Sequence, residues 1–440
     1  MRISSLQDKR SMIDGMIVVG IDPAKAKHQA VIIAPTGIQI GKTFSFDVSH
    51  EGYSTTLWHK VRLLVPNCNP DTVVFAIETS CNLWLTLAFY LHHEGYRVLM
   101  VSPLTTYHSR PMINHDFSRT DPKDALLVAS NALHGYFDLY QEHSVLNSAM
   151  HRLSITYDKL RKACAQNRAR LRALIEQLFP EFLDFIEPDT HTALYLLKRY
   201  LTPQDFLAMD LHAEAKAIGI ISRSQYGLNT LVQLQHAAQR SIGVPKVSED
   251  YAAQRLSLDC WISLIETLSI HMETICSEVV RSARQLPEFD ILLSLKGISD
   301  KTAALFLAEV QEIHRFSHYK QLEKKAGLNL RLSQSGQFIG TRHISHLGNK
   351  RLLWLLYCMA EETAKWIPEV RCKYLRRQLK RRLHRKNIIA SVSQLLKLIM
   401  ALCKENRTYQ SRPESLAQML ILEKQYAELK EKQKKNKKAA

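Results

Sequence analysis

Two short apolar segments near the start of the chain each end on an acidic residue, and this pattern constrains the fold most. Residues 16–22 read Met-Ile-Val-Val-Gly-Ile-Asp and end at Asp22, while residues 73–78 read Val-Val-Phe-Ala-Ile-Glu and end at Glu78. Short apolar runs rich in Val and Ile are typical of buried strands. We therefore predict two strands whose ends present acidic side chains at the edge of a sheet.

A second acidic pair lies where a helix is predicted to begin. Asp121 and Asp124 belong to Arg-Thr-Asp-Pro-Lys-Asp-Ala-Leu-Leu-Val-Ala, and their spacing puts both on one helical face. Four carboxylates that converge repel one another unless cations neutralise them, and hard divalent cations prefer such oxygen ligands. The set Asp22, Glu78, Asp121 and Asp124 therefore predicts a Mg²⁺ (or Mn²⁺) site for phosphoryl transfer.

Each acid also has a purely structural interpretation. Asp121 before Pro122 is a good helix start, because Asp can cap, Pro fits the first turn and Asp124 favours the helix dipole. Asp22 before Pro23 suits a turn, and Glu78 can simply end a strand. The order of the four acids along the chain favours the metal site over these alternatives.

Composition points to a polyanionic partner. The 440 residues suffice for two or three domains and carry a net charge of +17, which favours nucleic acid. The eight cysteines are scattered without a zinc or disulfide spacing, so we expect reduced thiols. We find neither a signal peptide nor a membrane-spanning run, and we predict a cytoplasmic, nucleoid-associated protein that does not use a membrane.

The predicted fold class is α/β plus α. Residues 1–15 form an extension, and three hairpin strands (17–21, 29–34, 39–46) then precede alternating strands and helices up to residue 140. This layout predicts a mixed sheet with helices on both faces, as in an RNase H-like (Holliday-junction-resolvase-like) domain. Residues 141–290 are predicted to be a helical arm able to dimerise as a coiled coil. Its basic positions include Arg168 and Arg172, which suit either a solvated face or a nucleic-acid contact.

The last part of the chain is predicted to be a mainly helical domain, 291–410, followed by a basic, partly disordered tail, 411–440. Residues 292–310 resemble a helix–hairpin–helix, in which Lys296 and Gly297 form the turn and backbone N–H groups hold a phosphate. Residues 371–386 contain nine Lys or Arg and no acid, and we interpret them as a helix that contacts phosphates. Its candidate contacts are Arg376, Arg377, Arg381 and Arg382.

Several motifs together resemble those of one family. They are Gly-Ile-Asp-x-x-Lys (20–25), Glu78, Thr-Asp-x-x-Asp-Ala (120–125), Lys-Gly-Ile-Ser (296–299), Ala-Gly-Leu (326–328), Gln-Ser-Gly (334–336) and Ile-Ser-His-x-Gly-Asn-Lys-Arg (344–351). In this order they resemble the DEDD-type insertion-sequence transposases that have a C-terminal catalytic serine, the bridge-RNA-guided DNA recombinases. The pilin-gene DNA invertases are similar. Two departures are Pro23 after the first acid and His346 in place of Lys or Arg.

The resemblance implies a DNA recombinase that mobilises its own element. It identifies Ser335 as the nucleophile, working with the four acids and contributed by another protomer of a dimer or tetramer. It also implies an element-encoded structured guide RNA that pairs with donor and target DNA. Ser333 and Ser345 are rival serines, and Arg342, Lys350 and Arg351 are candidate phosphate clamps beside Ser335.

Three classes of function remain open on the residues. The first is a transposase or recombinase that uses the acids and Ser335, with DNA inversion as a variant. The second is a Mg²⁺-dependent nuclease or Holliday-junction resolvase, which needs the acids and water but no serine. The third is a scaffold that binds nucleic acid without catalysis. We favour the first.

Overall fold

The computed structural model describes residues 6–80, 82–114, 117–118, 120–243, 248–331, 334–335, 338–339 and 343–439. The chain divides into two compact units, Met1–Glu142 and His143–Ala440, which we call unit 1 and unit 2.

Unit 1 alternates strands and helices. Its elements are α1 (Leu6–Met12), β1 (Ile17–Asp22), β2 (Lys27–Ile33), β3 (Phe44–Asp47), a π-helical turn (Gly52–Thr56), α2 (Leu57–Leu64), β4 (Val73–Glu78), α3 (Trp84–His93), β5 (Val98–Val101), α4 (Pro103–Ser109), α5 (Pro111–Asn114), α6 (Asp121–Leu133) and β6 (Asp138–Leu139). The predicted mixed α/β sheet is confirmed, although β3 begins later than expected and β6 was not predicted.

The six strands form one sheet in the order β3-β2-β1-β4-β5-β6. Strands β1, β2 and β3 are antiparallel neighbours, whereas β1, β4 and β5 run parallel. In the β1–β4 register Ile21 lies beside Ile77, so the next residues, Asp22 and Glu78, end neighbouring strands at the same edge.

Each face of this sheet has its own buried core. Side chains alternate between faces along a strand, so Val18, Gly20 and Asp22 share one face. That face packs on α6 through the alanines Ala125 and Ala129. The opposite face packs on α2 and α3 through larger apolar side chains. The alternation therefore directs the acids at the strand ends towards α6.

A glycine lets α6 lie directly on β1. A Cβ atom added to Gly20 would lie 2.5 Å from both the Ala125 carbonyl oxygen and the Ala129 Cβ. No larger residue fits between the strand and the helix without moving one of them, because buried atoms are already closely packed. This close approach brings the first turns of α6 down to the ends of β1 and β4.

Unit 2 is mainly helical. Its elements are α7 (Val145–Leu178), a 3₁₀ turn (Pro180–Asp184), α8 (His191–Leu197), α9 (Pro203–Leu207), α10 (Leu211–Ile221), α11 (Leu228–Ala238), α12 (Ser248–Ala283), α13 (Pro287–Leu293), α14 (Asp300–Val310), a 3₁₀ turn (Ile313–Arg315), α15 (Tyr319–Lys325), β7 (Leu330–Arg331), β8 (Gln334–Ser335), β9 (Phe338–Ile339), β10 (His343–Ile344), α16 (Lys350–Trp366), α17 (Pro368–Leu379), α18 (His384–Glu405) and α19 (Pro413–Ala439).

The two longest of these helices, α7 and α12, pack against each other in opposite directions. The start of α7 shares a core with the end of α12, and that core extends through α13–α19. The end of α7 shares a second core with the start of α12 and with the short helices α8–α11. The predicted long helices are present at these positions, whereas the domain boundaries at 290 and 410 and the dimerisation of the arm remain predictions.

One expectation for unit 2 differs from the structure, and the tail is helical. The basic segment 371–386 is not one helix, because α17 ends at Leu379 and α18 begins at His384, with Arg381 in the left-handed region between them (φ +53°). The tail forms helix α19 as far as Ala439, and its first half packs on α17, where Leu422 is buried and Arg371 pairs with Glu423 at 3.2 Å.

Within the described part of the chain, one helix, α18, has the length and apolar composition to cross a membrane. Half of its apolar stretch is buried inside the protein, where Val392, Leu395 and Leu396 belong to the main core of unit 2. This burial identifies α18 as a core helix of unit 2.

The contact at Gly20 generates a stability prediction. Gly20→Ala should lower the stability of unit 1 by about 1–3 kcal/mol, because the added methyl group forces α6 away from β1. Hydrogen–deuterium exchange of peptides covering β1 and α6, measured against urea concentration, gives this value. The control is Gly219→Ala in α10, since a Cβ there would lie 4.0 Å from the Tyr226 carbonyl oxygen, which is an ordinary contact. Equal exchange in wild type and Gly20→Ala would contradict the close packing.

Candidate active site

Three of the four predicted acids are buried at one edge of the unit 1 sheet. Asp22 and Glu78 are each 5% exposed at the ends of β1 and β4, and Asp124 is 1% exposed in the first turn of α6. The parallel register and the shared face bring the two strand-end acids together, and the contact at Gly20 brings Asp124 towards them. Buried carboxylates are costly without positive charge nearby.

Arg110 provides that positive charge. It follows α4, and its guanidinium donates two hydrogen bonds to the Asp124 carboxylate, from Nε to Oδ1 and from a terminal nitrogen to Oδ2, each 3.0 Å. The pKa of Arg110 is raised by these hydrogen bonds and also by the negative charges of Asp124, Glu78 and Asp22. All three buried carboxylates are therefore within electrostatic reach of one guanidinium.

Asp121 is placed differently from the other three. It lies on the same stripe of α6 one turn before Asp124, and its side chain is exposed. The N-cap of α6 is Thr120, so Asp121 is not the capping residue that the structural alternative suggested. Among the described residues, no group of three or more His, Cys, Asp or Glu side chains is arranged closely enough to hold a metal ion.

The loop that follows Asp22 is held by a buried histidine. His28, on β2, accepts a hydrogen bond at Nδ1 from the Ala24 N–H at 3.2 Å, so its Nε2 carries the proton and donates to the Tyr53 hydroxyl at 2.9 Å. Burial lowers the pKa of His28 to about 4. Tyr53 in turn lies 3.3 Å from the Thr86 hydroxyl. This chain fixes the backbone that leaves Asp22.

In unit 2, Ser335 lies on a small hairpin. Strand β8, which contains Ser335, pairs with β9, and Ser335 is opposite Phe338. The side chain of Ser335, the rival Ser333 and Arg342 lie outside the described residues. The other rival, Ser345, is 8% exposed, and its hydroxyl accepts a hydrogen bond from the Leu347 N–H at 3.1 Å. Ser345 therefore serves as a structural turn residue.

The two ends of this hairpin segment meet at a pair of glycines. A Cβ added to Gly348 would lie 2.3 Å from the Gly327 nitrogen, which leaves no room for it, and Gly327 itself adopts φ +74°, a conformation that favours glycine. Hydrogen bonds from the His346 N–H to the Gly327 carbonyl (3.0 Å) and from the Asn349 N–H to the Lys325 carbonyl (2.7 Å) close the base, and β7 pairs with β10 above it. We call residues 327–348 the serine hairpin.

A buried carboxylate anchors the base of the serine hairpin. Glu309, in α14, is fully buried and accepts hydrogen bonds from Ser154 at 2.7 Å, Asn349 at 2.5 Å and Arg351 at 2.7 Å. Burial opposes ionisation of Glu309, but these hydrogen bonds and the charge of Arg351 outweigh it and lower the pKa. One of the proposed phosphate clamps, Arg351, is thus partly engaged inside the protein, whereas Lys350 is exposed.

The remaining predicted nucleic-acid residues are placed as follows. Gly297 adopts φ +104° in the turn between α13 and α14, and Lys296 lies over the Trp366 ring at 3.9 Å. Arg168 pairs with Asp189 at 2.9 Å. Arg172 pairs with Glu176 at 3.3 Å and with Glu187 at 3.7 Å. Arg376, Arg381 and Arg382 are exposed and Arg377 is partly buried around the α17–α18 turn.

Sequence reasoning missed Arg110, His28 and Glu309. An arginine within Ser-Arg-Pro and a histidine within a strand carry no spacing signal of their own. Glu309 is more visible in retrospect, because it is the one acid inside the apolar run Ala-Ala-Leu-Phe-Leu-Ala-Glu-Val (303–310). An acid in such a run is buried only when it is paired.

Comparison with known proteins gives concordant matches along the chain. Residues 19–180 match a family described as transposase, of the DEDD type named for IS110, and residues 289–375 match the transposase family IS116/IS110/IS902. The 44.8 kDa protein of insertion element IS116 from Streptomyces clavuligerus is 23% identical over 90% of this chain and 97% of its own length. The 43.6 kDa protein of insertion element IS110 from Streptomyces coelicolor is 24% identical over 86% and 95%.

The buried histidine generates a pH prediction. His28 binds a proton in the unfolded chain near pH 6.5 but in the folded protein only near pH 4. Folded unit 1 should therefore lose about 3 kcal/mol as the pH falls from 6.5 to 4. Hydrogen–deuterium exchange of β1 and β2 peptides across this range measures the loss. His28→Gln should remove this part of the pH dependence, whereas His59→Gln, at an exposed position, should retain it.

Proposed function

We propose that this chain, which matches the IS110/IS116 transposase families at residues 19–180 and 289–375, is an insertion-sequence transposase that cleaves and rejoins DNA strands with two groups. The first is the acidic cluster Asp22, Glu78, Asp121 and Asp124. The second is the hydroxyl of Ser335. The observation that carries this proposal is the burial of three carboxylates at one sheet edge, all within electrostatic reach of a single guanidinium.

The strand order supports an RNase H-like interpretation of unit 1. Three antiparallel strands are followed by two strands parallel to the first, and a helix bearing acids covers the face where β1 and β4 end. In this arrangement acids from two strands and one helix share an edge, which is what a phosphodiester-cleaving site of this type requires. The same topology is compatible with a Holliday-junction resolvase, which the experiment below distinguishes.

The donor types suit a divalent metal ion, although the described acids are not placed closely enough together to hold one in this conformation. Asp22, Glu78 and Asp124 supply buried oxygen donors of the kind that Mg²⁺ or Mn²⁺ prefers, and Asp121 adds an exposed carboxylate one turn away. A bound divalent cation would polarise the scissile phosphate. Arg110 donates to both oxygens of Asp124, so we propose that this side chain turns away when a cation binds.

Ser335 is proposed as the nucleophile because of the motif in which it lies and the anchoring of its hairpin. Its Oγ attacks phosphorus, the P–O bond to the leaving deoxyribose oxygen breaks, and the proton of the hydroxyl is passed on to that oxygen. The resulting phosphoserine conserves the phosphodiester, so attack by a deoxyribose hydroxyl can rejoin the strands and release Ser335. The Glu309 cluster is proposed to hold the base of the hairpin during these steps.

Nucleic-acid binding is proposed to rest on the excess positive charge. The net charge of +17 and the exposed arginines at the α17–α18 turn suit phosphate backbones. A structured guide RNA would supply sequence specificity by base pairing. We further propose a cytoplasmic dimer or tetramer in which the acids of one protomer act with Ser335 of another.

The decisive experiment is covalent trapping. The purified protein, with RNA copurified from cells carrying its element, is mixed with labelled DNA spanning the element junction and Mg²⁺. We expect a protein–DNA adduct that survives denaturation and is lost in Ser335→Ala and in Asp124→Asn. Ser345→Ala, which removes the rival serine, should retain the adduct.

Two results would count against this mechanism. Metal-dependent cleavage without an adduct, unchanged in Ser335→Ala, would assign the chain to the resolvase or nuclease class. A covalent adduct that still forms in Ser335→Ala would show that another residue is the nucleophile.

The role of Arg110 can be tested without DNA. In a chelator, Arg110→Ala should lower the stability of unit 1 by about 3 kcal/mol, because the buried Asp124 carboxylate loses its bidentate guanidinium partner. Mg²⁺ should restore more stability to this variant than to wild type, since the cation now meets no competing guanidinium. Hydrogen–deuterium exchange of peptides from β1, β4 and α6 reports both effects.

Two matched control variants separate the effect of the Arg110 charge from the effect of losing its side-chain packing. Lys60→Ala removes an exposed cation of unit 1 and should change neither stability nor the response to Mg²⁺. The double variant Arg110→Ala/Asp124→Asn should lose less stability in unit 1 than Arg110→Ala alone, because it no longer buries the Asp124 charge. An Arg110→Ala protein that is equally unstable with and without Mg²⁺ would show that the cluster does not bind the cation.

A further inference from the structure

A cavity of about 900 Å³ lies beside the serine hairpin in unit 2. One wall is the base of that hairpin, through Leu330 and Ile344 of the β7–β10 pair. The opposite wall is formed by α15 and by the α17–α18 turn. Its volume is in the range of roughly 300–1,000 Å³ that is typical of small-ligand sites. The cavity is therefore large enough for a nucleotide.

Among the described residues, four cations and one acid line the cavity. Arg382 and Lys386 are exposed at its rim, whereas Lys373 and Arg377 are partly buried. The acid is Glu323, on α15. An excess of three positive charges favours a ligand that carries a phosphate.

The deeper polar groups are held in place. Arg377 donates from Nε to the Asn387 side-chain oxygen at 3.1 Å, and Asn387 donates to the Arg382 carbonyl at 3.0 Å. Lys373 donates to the Ser393 hydroxyl. The two deeper cations, Lys373 and Arg377, are thus held in place before a ligand arrives, which lowers the entropic cost of ordering them on binding.

The interior combines apolar surface with few polar groups. Burial lowers the pKa of Lys373 and raises that of Glu323, so both groups are partly removed from water. Tyr319 adds an aromatic ring, over which Lys397 lies at 4.9 Å. A flat ring with hydrogen-bonding edges suits such an interior, because aromatic and apolar side chains stack on bases.

We propose that this cavity binds one unpaired nucleotide of the DNA strand on which the protein acts, with its phosphate at Arg382 and Lys386 and its base edge towards Glu323. The proposal rests on the proposed function, because the nucleophile hairpin forms one wall of the cavity and DNA is its substrate there. A carboxylate accepts hydrogen bonds from base amino groups, so cytosine, adenine and guanine are preferred over thymine. A base already unpaired avoids the cost of extrusion from the duplex.

The test measures DNA binding without chemistry. The full chain carrying Ser335→Ala, in a chelator, is titrated with a fluorescent DNA duplex that has one extra unpaired cytosine, and with the perfect duplex of the same sequence. We expect about tenfold tighter binding of the bulged duplex. An abasic residue in place of the cytosine, or an unpaired thymine, should lose most of this preference.

Matched variants assign the preference to the cavity. Lys386→Ala should abolish the preference for the bulged duplex. Arg385→Ala removes a neighbouring exposed cation on α18 that does not line the cavity, so it should weaken the binding of both duplexes equally and retain the preference. Glu323→Gln should change the ranking of the unpaired bases while leaving the perfect duplex unaffected.

Three outcomes would overturn the proposal. They are equal binding of bulged and perfect duplexes, a preference that survives Lys386→Ala, and a preference shown only by a bulged RNA duplex. Because no cleavage is measured, the result is separable from the covalent-trapping experiment. A covalent adduct without a preference for the bulged duplex would contradict the nucleotide-binding proposal alone. A preference for the bulged duplex without an adduct would contradict the serine mechanism alone.

Discussion

The contact between α6 and β1 at Gly20 is the constraint on which the unit 1 site depends. Only glycine on the strand, facing the Ala125 backbone and the Ala129 side chain, allows the helix to lie this close to the sheet. The distance sets where Asp124 ends up relative to Asp22 and Glu78. Three carboxylates are then buried together, and the Arg110 guanidinium offsets a repulsion that would otherwise oppose folding.

The placement of the acids at two strand ends and on one helix was predictable because strands and helices have different repeats. A run of buried residues that ends on Asp or Glu indicates a strand and its edge, and an i,i+3 acid pair indicates one helical face. The partners of those acids were not predictable. Arg110 reaches Asp124 only through the tertiary packing of α4 on α6, and the burial of His28 depends on Tyr53, which lies 25 residues away.

In unit 2 the long helices α7 and α12 follow from extended helical sequence, whereas the serine hairpin does not. Strands of two residues are too short to show the alternation of apolar and polar residues that predicts a strand. The sequence pattern therefore did not predict β7–β10. The break between α17 and α18 has a related cause. No Gly or Pro marks residues 380–383, and the change of direction is set by the packing of two apolar helix faces in one core.

The glycine pair that closes the serine hairpin has a consequence for how such proteins diversify. The segment leaves and re-enters the helical core at a single point. The packing of the core therefore does not depend on the length of the chain between these two ends. For a flexible loop, doubling the length costs only about 0.6 kcal/mol of closure entropy. Insertions between the paired strands β7 and β10 should thus cost little folding free energy, whereas a side chain at either glycine costs more. The length and sequence of this segment can therefore change during evolution without changes in the helical core that supports it.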